Sequence, residues 1–226
     1  MPRPLLVLRP EPGATSTATA ARALGLEPVV APLFRIAPRR WACPDPAVYA
    51  GLLVGSANVV RHGGDRLAAL RGLPVHAVGE TTAAAAQATG FAIGSVGSGG
   101  LQAVAADLAA GRYLRLAGEA HVPLATPANV TVDTLVIYAA QPLPLSPIAV
   151  EAVRAGAVIL LHSGEAARYL DAEMHRLGVA RESARIAALA PRIAALAGTG
   201  WHDVGIASQR SDHAVLALAA EMCQTV

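Results

Sequence analysis

The chain has 226 residues, enough for one large domain or two small ones with real cores, and 54% of them are hydrophobic, much of that alanine. No run of about 18 apolar residues is free of charges, so a membrane-spanning helix is not expected. A net charge of +2 with scattered arginines excludes the basic stripe of a nucleic-acid binder, and 4% aromatics argues against stacking platforms for bases or flavins.

Met1-Pro2-Arg3-Pro4 and the short apolar run after it are too brief for a signal peptide and read as the entry to a first strand, Leu5–Leu8. A helix over Thr15–Leu24 and a strand over Pro28–Ala31 follow, then an extended proline-containing stretch, Pro32–Arg40. The next block predicts strand Gly51–Val54, helix Ala57–Leu73, strand Val75–Val78 and helix Thr82–Thr89. It continues through a further short strand, the polar loop Gly97–Gly100 and helix Leu101–Ala110. Strands Tyr113–Leu116 and Leu135–Tyr138 come next, with Pro123, Pro127 and the β-branched Val130–Thr134 run leaving little room for a helix between them. A second extended stretch, Tyr138–Pro147, leads into helix Pro147–Ala155 and strand Val158–Leu161. Helix Glu165–Leu177, strand Ile186–Leu189, helix Arg192–Ala197, strand Val204–Ala207 and helix His213–Met222 complete the chain. Strand–helix alternation of this kind implies βαβ units and parallel sheets.

The pattern repeats. Leu53-Val54-Gly55-Ser56-Ala57-Asn58-Val59-Val60-Arg61 matches Leu160-Leu161-His162-Ser163-Gly164-Glu165-Ala166-Ala167-Arg168, each a strand, a serine at a helix start and a later arginine. Ala77-Val78-Gly79-Glu80-Thr81-Thr82 recurs in form as Ala188-Leu189-Ala190-Pro191-Arg192-Ile193, and Thr89-Gly90-Phe91 as Thr199-Gly200-Trp201. A strand–arginine element precedes each block, Leu6-Val7-Leu8-Arg9 and Leu114-Arg115-Leu116. A duplication of so long a period implies two domains rather than a solenoid, with the working site expected in the cleft between them.

Ser56 and Ser163 stand where strands end and helices begin. As N-caps they satisfy backbone N–H groups; with the adjoining amides they could equally bind an anion, helped by the helix dipole. Thr82 invites the same two readings, and Gly79 before it would let a ligand approach the backbone. Arg9 and Arg115 follow strands and read as bidentate carboxylate clamps or as solvated strand-end arginines. The Gly94–Gly100 stretch lacks the lysine of a phosphate loop, and the seven histidines show no HxxxH or HExxH spacing, so neither a nucleotide nor a metal site is expected. Tyr138 ends the apolar run Leu135-Val136-Ile137 at the second extended stretch, where a phenol can exchange a proton, hydrogen-bond or pack a hinge. Cys43 and Cys223 form no CxxC pair, and a reduced, cytoplasmic chain is the simpler reading.

Taken in order, Leu8-Arg9-Pro10, Pro32-Leu33, Gly55-Ser56-Ala57-Asn58-Val59, Ala77-Val78-Gly79 with Thr82-Ala83, Ser98–Leu101, Leu114-Arg115-Leu116 with Gly118-Glu119, Val136-Ile137-Tyr138 and Ser163 resemble the uroporphyrinogen-III synthase family over almost the whole chain. The resemblance implies two parallel-sheet α/β domains of interleaved, discontinuous segments, 1–34 plus 145–226 and an inserted 40–136. A two-stranded linker at 35–39 and 137–144 would join them. It implies a cyclising hydro-lyase that closes hydroxymethylbilane to uroporphyrinogen III, inverting ring D and losing water, in tetrapyrrole (haem) biosynthesis. No cofactor or metal is implied, and a cytoplasmic monomer is expected. Carried over residue by residue, Tyr138 would give the leaving hydroxyl its proton. Arg9, Ser56, Ala57, Asn58, Gly79, Thr82, Ser98, Arg115, Ser163 and Gly164 would hold the substrate. The chain departs from the family pattern at Ala117, where an arginine is frequent, and at Ala190-Pro191-Arg192-Ile193, where Gly-x-x-Thr is expected. A non-catalytic two-lobed binder of a polycarboxylate would share these features, and a flavodoxin-like carrier would share the alternation.

Overall fold

The computed structural model describes residues 3–224; Met1 and Pro2, where the N-terminal reading began, lie outside them. In chain order the elements are β1 (Leu5–Val7), α1 (Gly13–Ala23), β2 (Pro28–Val30), β3 (Phe34–Pro38), β4 (Gly51–Val54), α2 (Asn58–His62), β5 (Val75–Val78), α3 (Glu80–Ala88), β6 (Ile93–Gly97), α4 (Leu101–Ala106), β7 (Gly111–Gly118) and β8 (Val130–Pro142). They continue as α5 (Pro147–Arg154), β9 (Val158–Leu161), α6 (Gly164–Leu177), β10 (Arg185–Ala188), α7 (Pro191–Ala194), β11 (Asp203–Ile206) and α8 (Asp212–Gln224), with 3-10 turns at Pro46–Val48 and Asp65–Leu70. The chain divides into two compact units, Met1–Arg35 with Pro142–Val226, and Ile36–Gln141.

The first unit holds a five-stranded sheet, order β11-β10-β9-β1-β2, parallel throughout. The second sheet has the order β3-β8-β7-β4-β5-β6 and is parallel from β8 to β6. Along β3 and β8, Leu143 N–H donates to the Leu33 carbonyl and Arg39 N–H to the Ile137 carbonyl, both at 2.8 Å, so this edge strand runs antiparallel. Substituting β4, β5, β6, β7 and β8 for β9, β10, β11, β1 and β2 turns one strand order into the other. The duplication read from the residues is therefore a repeat of winding.

Parallel strands are covered on both faces, which requires near-continuous apolar sequence. The Val-Ile-Leu-Leu of β9 and the Gly-Leu-Leu-Val of β4 are accordingly buried at every position. In the first unit Leu5, Val7, Val158 and Leu160 pack on Val215, Leu216, Ala219 and Met222, which share one face of α8. Each large side chain so buried contributes about 1.5–3 kcal/mol. In the second unit the strand period of two divides β4: Leu52 and Val54 pack with Ala83 and Ala86 of α3, and Leu53 with Val104 and Ala105 of α4.

Two expectations change, and a third is met. The helix predicted over Ala57–Leu73 breaks after His62. Gly64 takes φ +68, and a Cβ on Gly63 would lie 2.4 Å from the Leu67 side chain and 2.7 Å from the Val59 carbonyl, so only a 3-10 turn follows. The short strand expected before the polar loop Gly97–Gly100 is edge strand β6, Ile93–Gly97. The glycine at 94 lets the His76 ring lie across it, since a Cβ there would be 3.0 Å from the imidazole. The strand predicted at Leu135–Tyr138 runs the full length of Val130–Pro142. Between β7 and β8, residues 119–129 carry no helix, as the prolines imply.

Candidate functional site

Open α/β sheets take ligands at the carboxyl ends of their strands, where the strand order reverses. In the second unit that point lies between β4 and β7. β4 leads into Gly55-Ser56-Ala57-Asn58, and β7 ends at Gly118. The β7–β8 register runs one to one from Gly111↔Val130 to Ala117↔Val136, then skips Ile137 so that Gly118 faces Tyr138. Such a bulge re-aims side chains. Here it lays the half-buried Tyr138 ring on Gly118, where a Cβ would be 2.6 Å from Cε2 and 3.0 Å from Oη. The His62 ring, at the end of α2, has its centroid 6.2 Å from that of Tyr138. Burial, then the Arg61 charge, lower the His62 pKa and favour the neutral imidazole. Arg115, late on β7, is 7% exposed and donates from Nη1 to the Val122 carbonyl at 2.7 Å, which rules out the solvated strand-end reading.

The other residues picked out in this half gather at the same ends of β4, β5 and β6. Ser56 Oγ accepts the Asn58 N–H at 3.2 Å, and the N-cap is Ala57. With five residues, α2 offers only a short dipole for an anion. Asn58 Oδ1 accepts from Arg61 Nη1 at 3.4 Å. Gly79 caps α3 at φ +75 and ψ 153, a region reserved for glycine, and a Cβ on it would meet nothing within 4 Å. Its own amide is engaged with the Gly97 carbonyl at 2.9 Å, so a ligand could use its open face but not its N–H. Thr82 lies in the first turn of α3, buried, and exposed Ser98 follows β6.

Arg9, Ser163 and Gly164 lie in the first unit, at the reversal between β1 and β9. Ser163 is an N-cap, its Oγ accepting the Ala166 N–H at 3.2 Å, and a Cβ on Gly164 would be 2.7 Å from Leu196. Arg9 Nη1 donates to Asp212 Oδ1 at 3.0 Å and to Thr17 Oγ1 at 3.2 Å. Thr17 Oγ1 donates to Asp212 Oδ2 at 2.9 Å, and His162 Nε2 lies 2.7 Å from Oδ1. The guanidinium expected to clamp substrate is thus already paired inside the protein. Sequence reasoning missed Asp212 and His162; the one local signal was an aspartate opening a helix after a polar loop.

His162 also sets a pH dependence. Its side chain is 11% exposed, and its Nδ1 is buried without a partner. Burial, then the Arg9 charge, pull its pKa below the ordinary 6.5, with Asp212 opposing. The folded protein then holds fewer protons here than the unfolded chain. Stability is full above that ordinary value and lost as pH falls through and below it. His62 and His76, also lowered mainly by burial, add to the slope. The melting temperature is expected to drop between about pH 7.5 and about pH 5, with His162→Gln flattening the curve. An unchanged slope in that variant would assign the loss to other groups.

Among the described residues no helix is long and apolar enough to cross a membrane, and no cluster of His, Cys, Asp or Glu is arranged to hold a metal ion. A family model described as Uroporphyrinogen-III synthase HemD matches residues 15–217. The chain belongs to the uroporphyrinogen-III synthase family. That family consists of enzymes of haem biosynthesis acting on a small-molecule substrate. The fold agrees with that of the uroporphyrinogen-III synthetase from Helicobacter pylori 26695, 15% identical with a TM-score of 0.65 over 97% of this chain and 99% of that one. A mutant uroporphyrinogen III synthase from the extremely thermophilic bacterium Thermus thermophilus is 14% identical, with a TM-score of 0.48 over 98% of each chain. No curated protein sequence matches this one.

Proposed function

We propose that this uroporphyrinogen-III synthase is a cyclising hydro-lyase that turns hydroxymethylbilane into uroporphyrinogen III, acting as a cytoplasmic monomer without a cofactor. The family match over residues 15–217 carries the reading. Tyr138, at the strand-order reversal of the second unit, gives a proton to the hydroxyl on ring A, and water leaves. The resulting azafulvene is attacked by ring D at its substituted carbon, and the spiro intermediate opens and recloses with ring D inverted. Ser56, Ala57, Asn58, Gly79, Thr82, Ser98 and Arg115 hold carboxylates at the strand ends of the second unit, and Ser163 and Gly164, with Arg9 once it exchanges Asp212 for the ligand, hold others at the strand ends of the first. Residues 35–39 and 137–144 serve as the linker. Most of the rate then comes from folding the substrate and placing charge rather than from any one side chain.

The test is to incubate the protein with freshly made hydroxymethylbilane, oxidise the products and separate the isomers. The type III isomer is expected to dominate. Type I alone, formed at the rate of the enzyme-free control, would leave only a binder of polycarboxylates.

A further inference from the structure

Arg115 carries a charge for which the described residues of the second unit supply no counter-ion. The residue is 7% exposed, Nη1 is spent on the Val122 carbonyl, and Nε is buried with no partner. The nearest acid in sequence, Glu119, pairs with Arg39. Burial pulls the Arg115 pKa down. A buried cation without an anion is unfavourable, and an apolar residue of like size would suit a purely structural place better.

Holding the 119–129 segment does not explain the arginine either. Gln102 of α4 already clips that segment by its backbone, donating to the Ala125 carbonyl at 2.6 Å and accepting the Ala125 N–H at 3.0 Å. Val122 itself is 76% exposed, so it has little packing to lose if it moves.

We propose that the missing counter-ion of Arg115 is a substrate carboxylate, taken side-on by the free Nε edge of the guanidinium when Val122 shifts aside. This rests on the synthase reading and refines it. One acetate or propionate is fixed by a planar fork, where the other groups of the second unit offer hydroxyls, an amide and backbone. Binding also neutralises a buried charge that the ligand-free protein leaves open.

Uroporphyrin, which has eight carboxylates and does not react, serves as the probe by calorimetry. Arg115→Met is expected to bind it at least about tenfold more weakly, while the ligand-free melting temperature stays level or rises because an uncompensated charge is gone. A structural tether would behave in the opposite way, with a lower melting temperature and unchanged affinity. Unchanged affinity overturns the proposal whatever the melting temperature. If Arg115→Met does not fold, Arg115→Lys keeps the charge without the fork, and full affinity in that variant overturns the side-on contact. Binding needs no turnover, so the two readings fail separately. Wild-type protein that binds uroporphyrin yet yields no type III isomer sinks only the synthase assignment.

Discussion

Tyr138→Phe is expected to lower kcat by about 10²-fold, with KM and melting temperature near those of the wild type. The phenyl ring keeps the packing on Gly118 and against the core of the second unit. No side-chain hydrogen bond is lost, because the Tyr138 hydroxyl makes none among the described residues. The change therefore removes a proton and little else. Loss of hydroxide from ring A needs that proton at the moment the carbon–oxygen bond breaks, so the defect belongs to kcat rather than to binding. Initial rates of type III isomer at saturating hydroxymethylbilane measure it. An undiminished kcat would return Tyr138 to packing and leave the chemistry to placement of the substrate.

The alternation of apolar runs and alanine-rich stretches was enough to locate β4 and β9 to the residue, because strands buried on both faces tolerate only apolar side chains. The class of fold and the repeated winding were legible for the same reason. Local pattern failed where a tertiary neighbour decides. The expected helix Ala57–Leu73 ends at Gly63, where Leu67 fills the space in which a side chain would stand. β6 was legible as a short strand but not to the residue, because in its glycine-rich sequence the His76 ring takes the place of side chains. The bulge that turns Tyr138 toward Gly118 leaves no trace in composition, since it depends on a register shift between two strands. Asp212 could not be read as the partner of Arg9, 203 residues away, before the fold brought α8 beside α1 and β9. For the site, sequence supplied the ends of the strands; the geometry supplied what each group already holds. Arg9 is satisfied by Asp212, Gly79 N–H by Gly97, and Arg115 only in part.

Gly118→Ala is expected to cost turnover even though Tyr138 itself is unchanged. Gly118 does not adopt a positive φ, so its backbone has no need of glycine. The demand comes from the ring lying on it: an added Cβ would sit 2.6 Å from Cε2, 2.8 Å from Cζ and 3.0 Å from Oη of Tyr138. The ring must swing away, since Gly118 is fixed by its pairing at the end of β7. Overpacking of this kind costs about 1–3 kcal/mol of stability. A catalytic group displaced by about 1 Å can lose on the order of 10²-fold in rate. Pairing the two substitutions separates these effects. If Gly118 acts only by seating the phenol, adding Gly118→Ala to Tyr138→Phe lowers the melting temperature further but leaves kcat where the single Tyr138→Phe variant put it. A further fall in kcat would mean that Gly118 meets the substrate directly, through the backbone face that the missing side chain leaves bare.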